Sequence, residues 1–243
     1  MLGTDYLLAE DIKLVVESYY KRYKDVPVSY AFITPDTTER SPLLVNKGKG
    51  YAKGVELFLQ KKVKNNFWGT LSYSYSISQA YDPCDTTDNT LYDWDFDYRH
   101  VFTGIIGTKI EFMKYDWYDN YRKYLMPISW AIPFLSDETE ITFKFRYMGG
   151  KPYTEKEYSP YLRRWFTPTN DLLNNARFEP YKKFDVLILR RWFENKFSIT
   201  SYVEVENILN TKNVWDYNYL EDGSKETVYQ MGRMIVGGFI IEF

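Results

Sequence analysis

The chain has 243 residues, a net charge of −2, one cysteine and one histidine. The near-neutral charge gives no electrostatic basis for nucleic-acid binding. A single cysteine and a single histidine exclude an internal disulfide and leave no basis for a cysteine or histidine metal cluster, so no cofactor is predicted. Aromatic residues make up 19% of the chain, which favours β-strands and rings placed at a boundary between water and an apolar phase.

Alternation of apolar and polar residues predicts an all-β, antiparallel chain of about eight strands. The contrast is strongest in FWGTLSYSYSI at 67–77, where Phe67, Leu71 and Tyr75 share one face and hydroxyl residues occupy the other. There is no internal repeat or linker, so residues 1–243 are predicted to form one domain. The predicted strands are 11–23, 54–63, 67–77, 99–112, 141–147, 183–193, 197–207 and 229–243.

The connections alternate between tight turns and long segments. Tight turns are predicted at 63–67 and 194–196, and long connections at 24–50, 78–98, 150–180 and 210–228. This alternation is typical of a transmembrane β-barrel with long extracellular loops and short periplasmic turns. Residues 113–140 are long where a short turn is due, which predicts a periplasmic-side insertion with a short amphipathic helix or interfacial segment.

Two fold hypotheses share this pattern, because the strands of a soluble antiparallel sandwich also alternate. No apolar run approaches the ~18 residues of a membrane helix, so a membrane hypothesis depends on the strands. Charged residues on the second face suit a wet lumen, and Lys144, Arg146, Glu204 and Glu206 are predicted to face it. Rings near strand ends favour interfacial girdles and therefore the barrel; they are Tyr19, Tyr20, Tyr23, Trp68, Trp192 and Phe193.

Two predicted loops carry candidate ligand-binding residues. The acidic stretch 81–98 includes Asp93, Asp95 and Asp97, which could capture a cationic ligand or form a solvated loop, and the spacing matches no EF-hand. The stretch 159–181 includes Arg163, Arg164 and Trp165. This cluster could stack on sugars or chelate complexes, or the loop could fold on its own hydrophobic side chains.

No enzymatic activity is predicted. His100 follows Arg99 at a strand entrance, but no Gly-x-Ser-x-Gly nucleophile pattern accompanies it. The segment GKGYAKG at 48–54 lacks the Gly-Lys-Ser/Thr step of a phosphate-binding loop.

Six segments in order resemble the TonB-dependent outer-membrane receptors of the Bacteroidetes type. The paired strands GYAKGVELFLQKK and FWGTLSYSYSIS are similar to a barrel hairpin, and DYRHVFTGIIGTKI to the strand after it. FKFRYMGGKPYT resembles a strand that ends in a Gly-x-Pro-Tyr-Thr corner. PYKKFDVLILRRWF and YVEVENILNTKNVWDYNY resemble the penultimate hairpin, including the step from Asn207 to Asn210.

This resemblance implies a 22-stranded importer with an amino-terminal plug and energy coupling through the TonB complex. The chain lacks the plug, the TonB box and most of the strands, so we expect the carboxy-terminal part of such a barrel, unable to transport alone. In hydrocarbon, unpaired strand edges cost several kcal/mol per group, and the missing plug and strands are therefore expected partners. Alternatively, eight strands could close into a small stand-alone barrel with a structural or adhesive role.

The last ten residues, MIVGGFIIEF, alternate up to a terminal aromatic residue. Ile235, Phe239, Ile241 and Phe243 share one face and resemble the signal that the barrel-assembly machinery recognises. The sequence therefore predicts contact with outer-membrane lipid of a Gram-negative bacterium. It does not distinguish a small-molecule from a glycan ligand.

Overall fold

The computed structural model describes residues 1–29, 44–82, 90–129, 132, 134–167 and 173–243. These residues form one α-helix, α1 (Asp116–Ser129), a 3-10 turn at Phe112–Lys114 and sixteen strands. The strands are β1 (Leu2–Ala9), β2 (Ile12–Ser29), β3 (Leu44–Lys64), β4 (Phe67–Tyr81), β5 (Leu91–Asp93), β6 (His100–Glu111), β7 (Glu138–Met148), β8 (Pro152–Tyr153), β9 (Glu157–Ser159), β10 (Arg164–Phe166), β11 (Ala176–Arg177), β12 (Tyr181–Phe193), β13 (Ser198–Glu206), β14 (Val214–Tyr219), β15 (Lys225–Tyr229) and β16 (Met234–Glu242).

One large antiparallel sheet dominates the fold, which confirms the predicted all-β class. Its order is β1-β2-β3-β4-β6-β7-β12-β13-β16, with β5 added beside β4. Neighbours in the sheet therefore follow one another along the chain, as in an arc of an up-and-down barrel. The eight predicted strands are present, and β1 is a ninth that the alternation did not predict.

The sheet is an open path rather than a sandwich or a closed small barrel. β1 and β16 each have one strand neighbour in it, and the described residues contain no pairing between the two. The other sheets in the described ranges have two strands each, so none of them supplies the second layer that a sandwich requires.

Short turns connect the strands at one end of the sheet. The β3–β4 turn consists of Asn65 and Asn66, whose φ angles of 52° and 64° fit the two positive-φ positions of a type I′ turn. Residues 10–11 and 194–197 make the other short turns at this end. The described parts of the connections 82–99 and 149–180, and the connection 207–233, lie at the opposite end, which we call the loop end.

The predicted loop at 24–50 is shorter in the structure, because β2 continues to Ser29 and β3 starts at Leu44. The two strands stay paired in this extension, with register shifts between Tyr23 and Pro27.

The strand register separates two unlike faces. Charged residues share one face, on which Lys144 lies opposite Asp185 and Arg146 opposite Lys183; we call it the inner face. The outer face carries a band of apolar side chains that are substantially exposed. This apolar band includes Leu2, Tyr6, Val55, Leu57, Phe67, Leu71, Tyr75, Ile106, Phe143, Phe145, Val203, Ile235, Phe239 and Ile241.

Several rings predicted as interfacial girdles instead cover glycines on the inner face. Trp68 lies opposite Gly107, and a Cβ added at that glycine would meet the indole ring at 2.3 Å. Tyr19 is placed in the same way opposite Gly54. Tyr23 is also on the inner face, opposite Gly50. These residues therefore do not belong to an outer girdle, because the strand register places their rings on the inner face.

Residues 112–137 connect β6 to β7 at the short-turn end and contain α1. The predicted insertion ended at 140, but the structure places its last three residues in β7. None of the described helices has both the length and the apolar character needed to cross a membrane. α1 packs on the outer face of the sheet, where Trp192 of β12 is buried against Ser129 with 3.2 Å between Nε1 and Oγ.

Candidate ligand-facing site at the loop end

The inner face near the loop end carries a ladder of ion pairs. Arg146 donates to Asp185 at 2.8 Å, and Lys183 pairs with both Asp185 and Glu206. Lys144 and Glu204 share this face by register. The four residues predicted to face a lumen therefore lie together opposite the apolar band, and two of them are paired with partners on neighbouring strands.

Asn207 and Asn210 shape the exit of β13 from the sheet. Both have positive φ, 50° and 52°. The Asn207 backbone N–H donates to Asp185 at 2.8 Å, while its side chain exchanges hydrogen bonds with the backbone of Thr211. Asn210 Oδ1 accepts from the backbone N–H of Arg233 at 3.0 Å. The pair therefore fixes both ends of the connection from β13 to β16.

The acidic segment folds back onto the inner face. Trp94 lies over Gly50 and contacts the Tyr23 ring edge-on, with centroids 5.0 Å apart. Asp97 is fully buried and accepts from the backbone N–H of Ser78 at 2.8 Å. This segment is consequently packed against the inner face of the sheet instead of projecting as a solvated loop.

Two arginines pair with two aspartates of the acidic segment. Arg99 donates to Asp93 and Asp97, at 2.7 Å each, and Arg177 from β11 pairs with the same two carboxylates. Burial alone would raise the pKa of Asp93, but hydrogen bonds from Gln79, Arg177 and Arg99 lower it.

Ligand binding by the three predicted aspartates stays a prediction. Asp93 and Asp97 are paired with arginines. Asp95 instead accepts a hydrogen bond of 2.7 Å from the Asn174 side chain at the surface. Within the described ranges, no three His, Cys, Asp or Glu side chains come together in a way that could hold a metal ion.

The second predicted site, around Trp165, joins two loops. Its Nε1 donates to the carbonyl of Leu220 at 2.7 Å, and its ring contacts Tyr158 and Tyr219. The 157–166 hairpin is thereby fixed to the β14–β15 hairpin, and the Tyr158 hydroxyl adds a hydrogen bond to the carbonyl of Glu221.

Aromatic stacking continues from this junction toward the sheet. Tyr217 contacts Tyr153 and Phe178, and the Lys225 ammonium lies 3.8 Å from the centre of the Tyr217 ring. Such a cation–π contact is favourable. Burial raises the pKa of the Tyr217 hydroxyl, so the phenol stays neutral beside the cation.

A cavity of about 540 Å³ opens between the two joined loops. Arg163 lines it together with Tyr158, Pro160, Glu221 and Asp222. Arg164 is on the exposed side of β10. Of the three predicted residues, Arg163 lines the cavity, Trp165 holds the loops together, and Arg164 is free of both roles.

Sequence reasoning missed the partners in these clusters. Arg177 lies 84 positions after Asp93, and Trp165 is 55 positions before Leu220. Contacts of that range leave no local pattern, since they depend on which strands become neighbours.

Comparison with known protein families and with curated proteins finds no match. Solved structures do match. The ferric yersiniabactin uptake receptor of Yersinia pestis aligns with 99% of this chain at a TM-score of 0.61 and 16% identity. The ferripyoverdine receptor of Pseudomonas aeruginosa aligns with 99% at a TM-score of 0.60 and 12% identity. The chain therefore shares the antiparallel β-barrel fold of the matched part of these structures.

Only part of each receptor is matched. The chain spans 29% of the Yersinia receptor, 26% of the Pseudomonas receptor and 30% of the FrpB iron transporter of Neisseria meningitidis, which it matches at a TM-score of 0.57 and 14% identity. The antiparallel arc, with its apolar outer and charged inner face, is thus a section of a wider barrel wall in these proteins.

Proposed function

We propose that this chain forms part of the wall and of the outer loops of a TonB-dependent receptor in the outer membrane of a Gram-negative bacterium. The observation that carries the proposal is the alignment of 99% of the chain with receptor barrels. The exposed apolar band supports it, because a barrel wall turns such a face to lipid. An uncovered band of this size would be a liability in water.

The wall has to be completed by other strands. β1 and β16 end the described sheet, and hydrocarbon does not tolerate unpaired strand edges. We therefore propose that further barrel strands and a plug are required for transport, and that this chain alone binds but does not move ligand. The exposed Ile235, Phe239, Ile241 and Phe243 support recognition by the barrel-assembly machinery.

The loop end is the proposed ligand-facing region. Arg163 and the 540 Å³ cavity, which Tyr158, Glu221 and Asp222 also line, offer charged and aromatic groups that a small molecule or a glycan could contact. The similar receptors are described with ferric yersiniabactin and ferripyoverdine, so ferric siderophore chelates are the first ligands to test.

Membrane residence is tested by fractionation and extraction. The chain is expected in the outer-membrane fraction and to require detergent for purification. A monodisperse monomer in detergent-free buffer would contradict the proposal, because the apolar band could not remain exposed there.

Ligand contact is tested with Arg163→Ala in detergent-solubilised protein, titrated with ferric siderophore chelates. Loss of one charge-assisted hydrogen bond is expected to weaken binding roughly tenfold. Lys196→Ala, at the short-turn end, is the matched control and should bind like the unmodified chain. Equal affinity of both variants would remove Arg163 from the site.

A further inference from the structure

One face of α1 is fixed to the protein by a buried carboxylate. Asp137, fully buried, accepts two hydrogen bonds from the Arg122 guanidinium, at 2.7 and 2.6 Å, and a third from the Tyr118 hydroxyl at 3.0 Å. The backbone N–H of Phe193 donates to the same carboxylate at 2.7 Å. Hydrogen bonding to Asp137 raises the pKa of Arg122, so this guanidinium stays charged. We call this arrangement the Asp137 node.

The node places the helix on the outer face of the wall. Arg190 is an outer-face residue of β12 that donates to the carbonyl of Ser129 at 3.1 Å. Arg122 donates to the carbonyl of Phe193, at the β12–β13 turn. Arg190 and Phe193 are about 10 Å apart along an extended strand. The helix therefore covers the outer face of β12 over about this distance from the β12–β13 turn.

A second face of α1 is apolar and exposed. Trp117, Tyr121, Tyr124 and Ile128 are 50%, 60%, 71% and 54% exposed. Their spacing of four, three and four residues puts them on one side of a helix. The segment after the helix adds two more exposed apolar side chains, Ile132 and Phe134.

A third face is polar and also exposed, with Asp116, Asp119 and Lys123. The helix therefore presents three sides: docked, apolar and charged. A surface helix in water needs only the first and the third. Aromatic rings beside charged residues are typical of a helix that lies in the headgroup region of a membrane.

We propose that α1 lies in the lipid interface at the short-turn end of the barrel, with the aromatic stripe Trp117–Tyr121–Tyr124–Ile128 in contact with phospholipid. The stripe lies on the same outer side of the wall as the apolar band, so both meet one continuous apolar phase. This inference rests on the proposed membrane function. It adds a lipid-contacting element outside the strands.

The lipid preference follows from the polar face. Two aspartates and one lysine there offer no net positive charge, so attraction to anionic headgroups is not expected. Contact of α1 with lipid should therefore form equally well with zwitterionic and with anionic lipid, and it should be insensitive to salt.

The test uses single cysteine labels in a Cys84→Ser background, reconstituted in phosphatidylcholine vesicles whose acyl chains are brominated near the glycerol. Bimane at Tyr121→Cys or Ile128→Cys is expected to be quenched by the brominated lipid. Bimane at Lys123→Cys, on the polar face of the same helix, is the matched control and should keep its emission. A label at Phe143→Cys reports the apolar band and should also be quenched.

The outcomes separate the two proposals. Emission at Tyr121→Cys and Ile128→Cys that matches Lys123→Cys, while Phe143→Cys is quenched, overturns the interfacial helix and leaves the barrel intact. Loss of quenching at Phe143→Cys as well overturns the membrane barrel itself. The bimane labels on the stripe could also be shielded from water in unbrominated detergent micelles. Shielding that increases with protein concentration would assign the stripe to a contact with a second copy of the chain and would contradict the proposal.

Discussion

Two long connections fold back onto the wall, one at each end and on opposite faces. At the short-turn end, residues 112–137 dock on the outer face through Asp137. At the loop end, residues 91–99 dock on the inner face through Asp97. Each uses a fully buried carboxylate held by arginine. They differ in how much apolar surface they leave exposed: the outer connection turns a stripe of apolar side chains outward, whereas the inner one packs Trp94 against Tyr23 and leaves Phe96 exposed.

The difference shows that docking chemistry does not determine environment. A buried Asp–Arg contact can hold a segment against either face, because it satisfies its own polar groups wherever it is placed. The remaining sides of each segment then reveal what surrounds it. On this basis the outer connection fits the proposed lipid interface, and the inner one fits the proposed ligand-facing region.

The largest expected effect is at the outer connection. Asp137→Ala leaves the Arg122 guanidinium, the Tyr118 hydroxyl and the Phe193 N–H without their acceptor, and should lower the free energy of unfolding by about 3 kcal/mol. Urea titration of the refolded chain in vesicles measures it. Asp119→Ala, on the exposed face of α1, is the control; equal midpoints for the two variants would mean that the node does not anchor the helix.

The inner connection should be less sensitive. Asp97→Ala removes one of two carboxylates that share Arg99 and Arg177, and Asp93 remains to hold both guanidinium groups. We expect the free energy of local opening to fall by about 2 kcal/mol in this region, without a comparable effect elsewhere. Hydrogen exchange of amides 91–99 measures it, with Glu226→Ala as control. Unchanged protection of these amides would show that packing of Trp94 alone fixes the segment.

The two faces of one strand can be compared directly. Gly107→Ala puts a methyl group into the Trp68 ring on the inner face and should cost about 1–2 kcal/mol. Gly104→Ala, three residues earlier on the outer face, meets a movable Leu71 methyl at 3.2 Å and the Phe102 ring at an ordinary contact distance of 3.4 Å, and should be nearly neutral. Urea midpoints in vesicles decide it, and a larger cost at Gly104 would reverse the assignment of the crowded face.

The smallest effect concerns pH. The pKa of Asp93 is lowered in the folded state, so its contribution to stability is full above the unfolded value of about 4 and is lost as pH falls through the folded pKa. Protease cleavage within 149–180 should therefore be constant from neutral pH to about 5 and increase only below about 4. An increase between pH 7 and 5 would contradict the arrangement.

The strand core could be predicted from the sequence because one face is apolar over most of each strand. β1 was missed because Leu7 and Leu8 interrupt its alternation, and the register shifts there, between Leu7 and Ala9. The ends of β2 and β3 were missed because Pro27 and the register shifts between Tyr23 and Pro27 interrupt the alternation there.

The loop end was predictable in composition but not in arrangement. Asp93, Asp97, Arg163 and Trp165 were all identified as notable residues. Their roles depend on Arg177, Leu220 and Tyr219, whose proximity is created by the strand order and has no local signature. The three-sided character of α1 was foreseeable only as amphipathicity, because the docked face is defined by Asp137, outside the helix.

The Asp137 node also has a consequence for how the sheet is aligned. Asp137 precedes β7 and binds the backbone of Phe193 at the end of β12, next to the pair of Glu138 and Arg191. A slip of one residue between these strands would turn Lys144 and Arg146 toward lipid, and the same slip would separate this carboxylate from its amide. The hydrogen bond from Phe193 to Asp137 therefore stabilises only the strand register that keeps the charged side chains on the inner face.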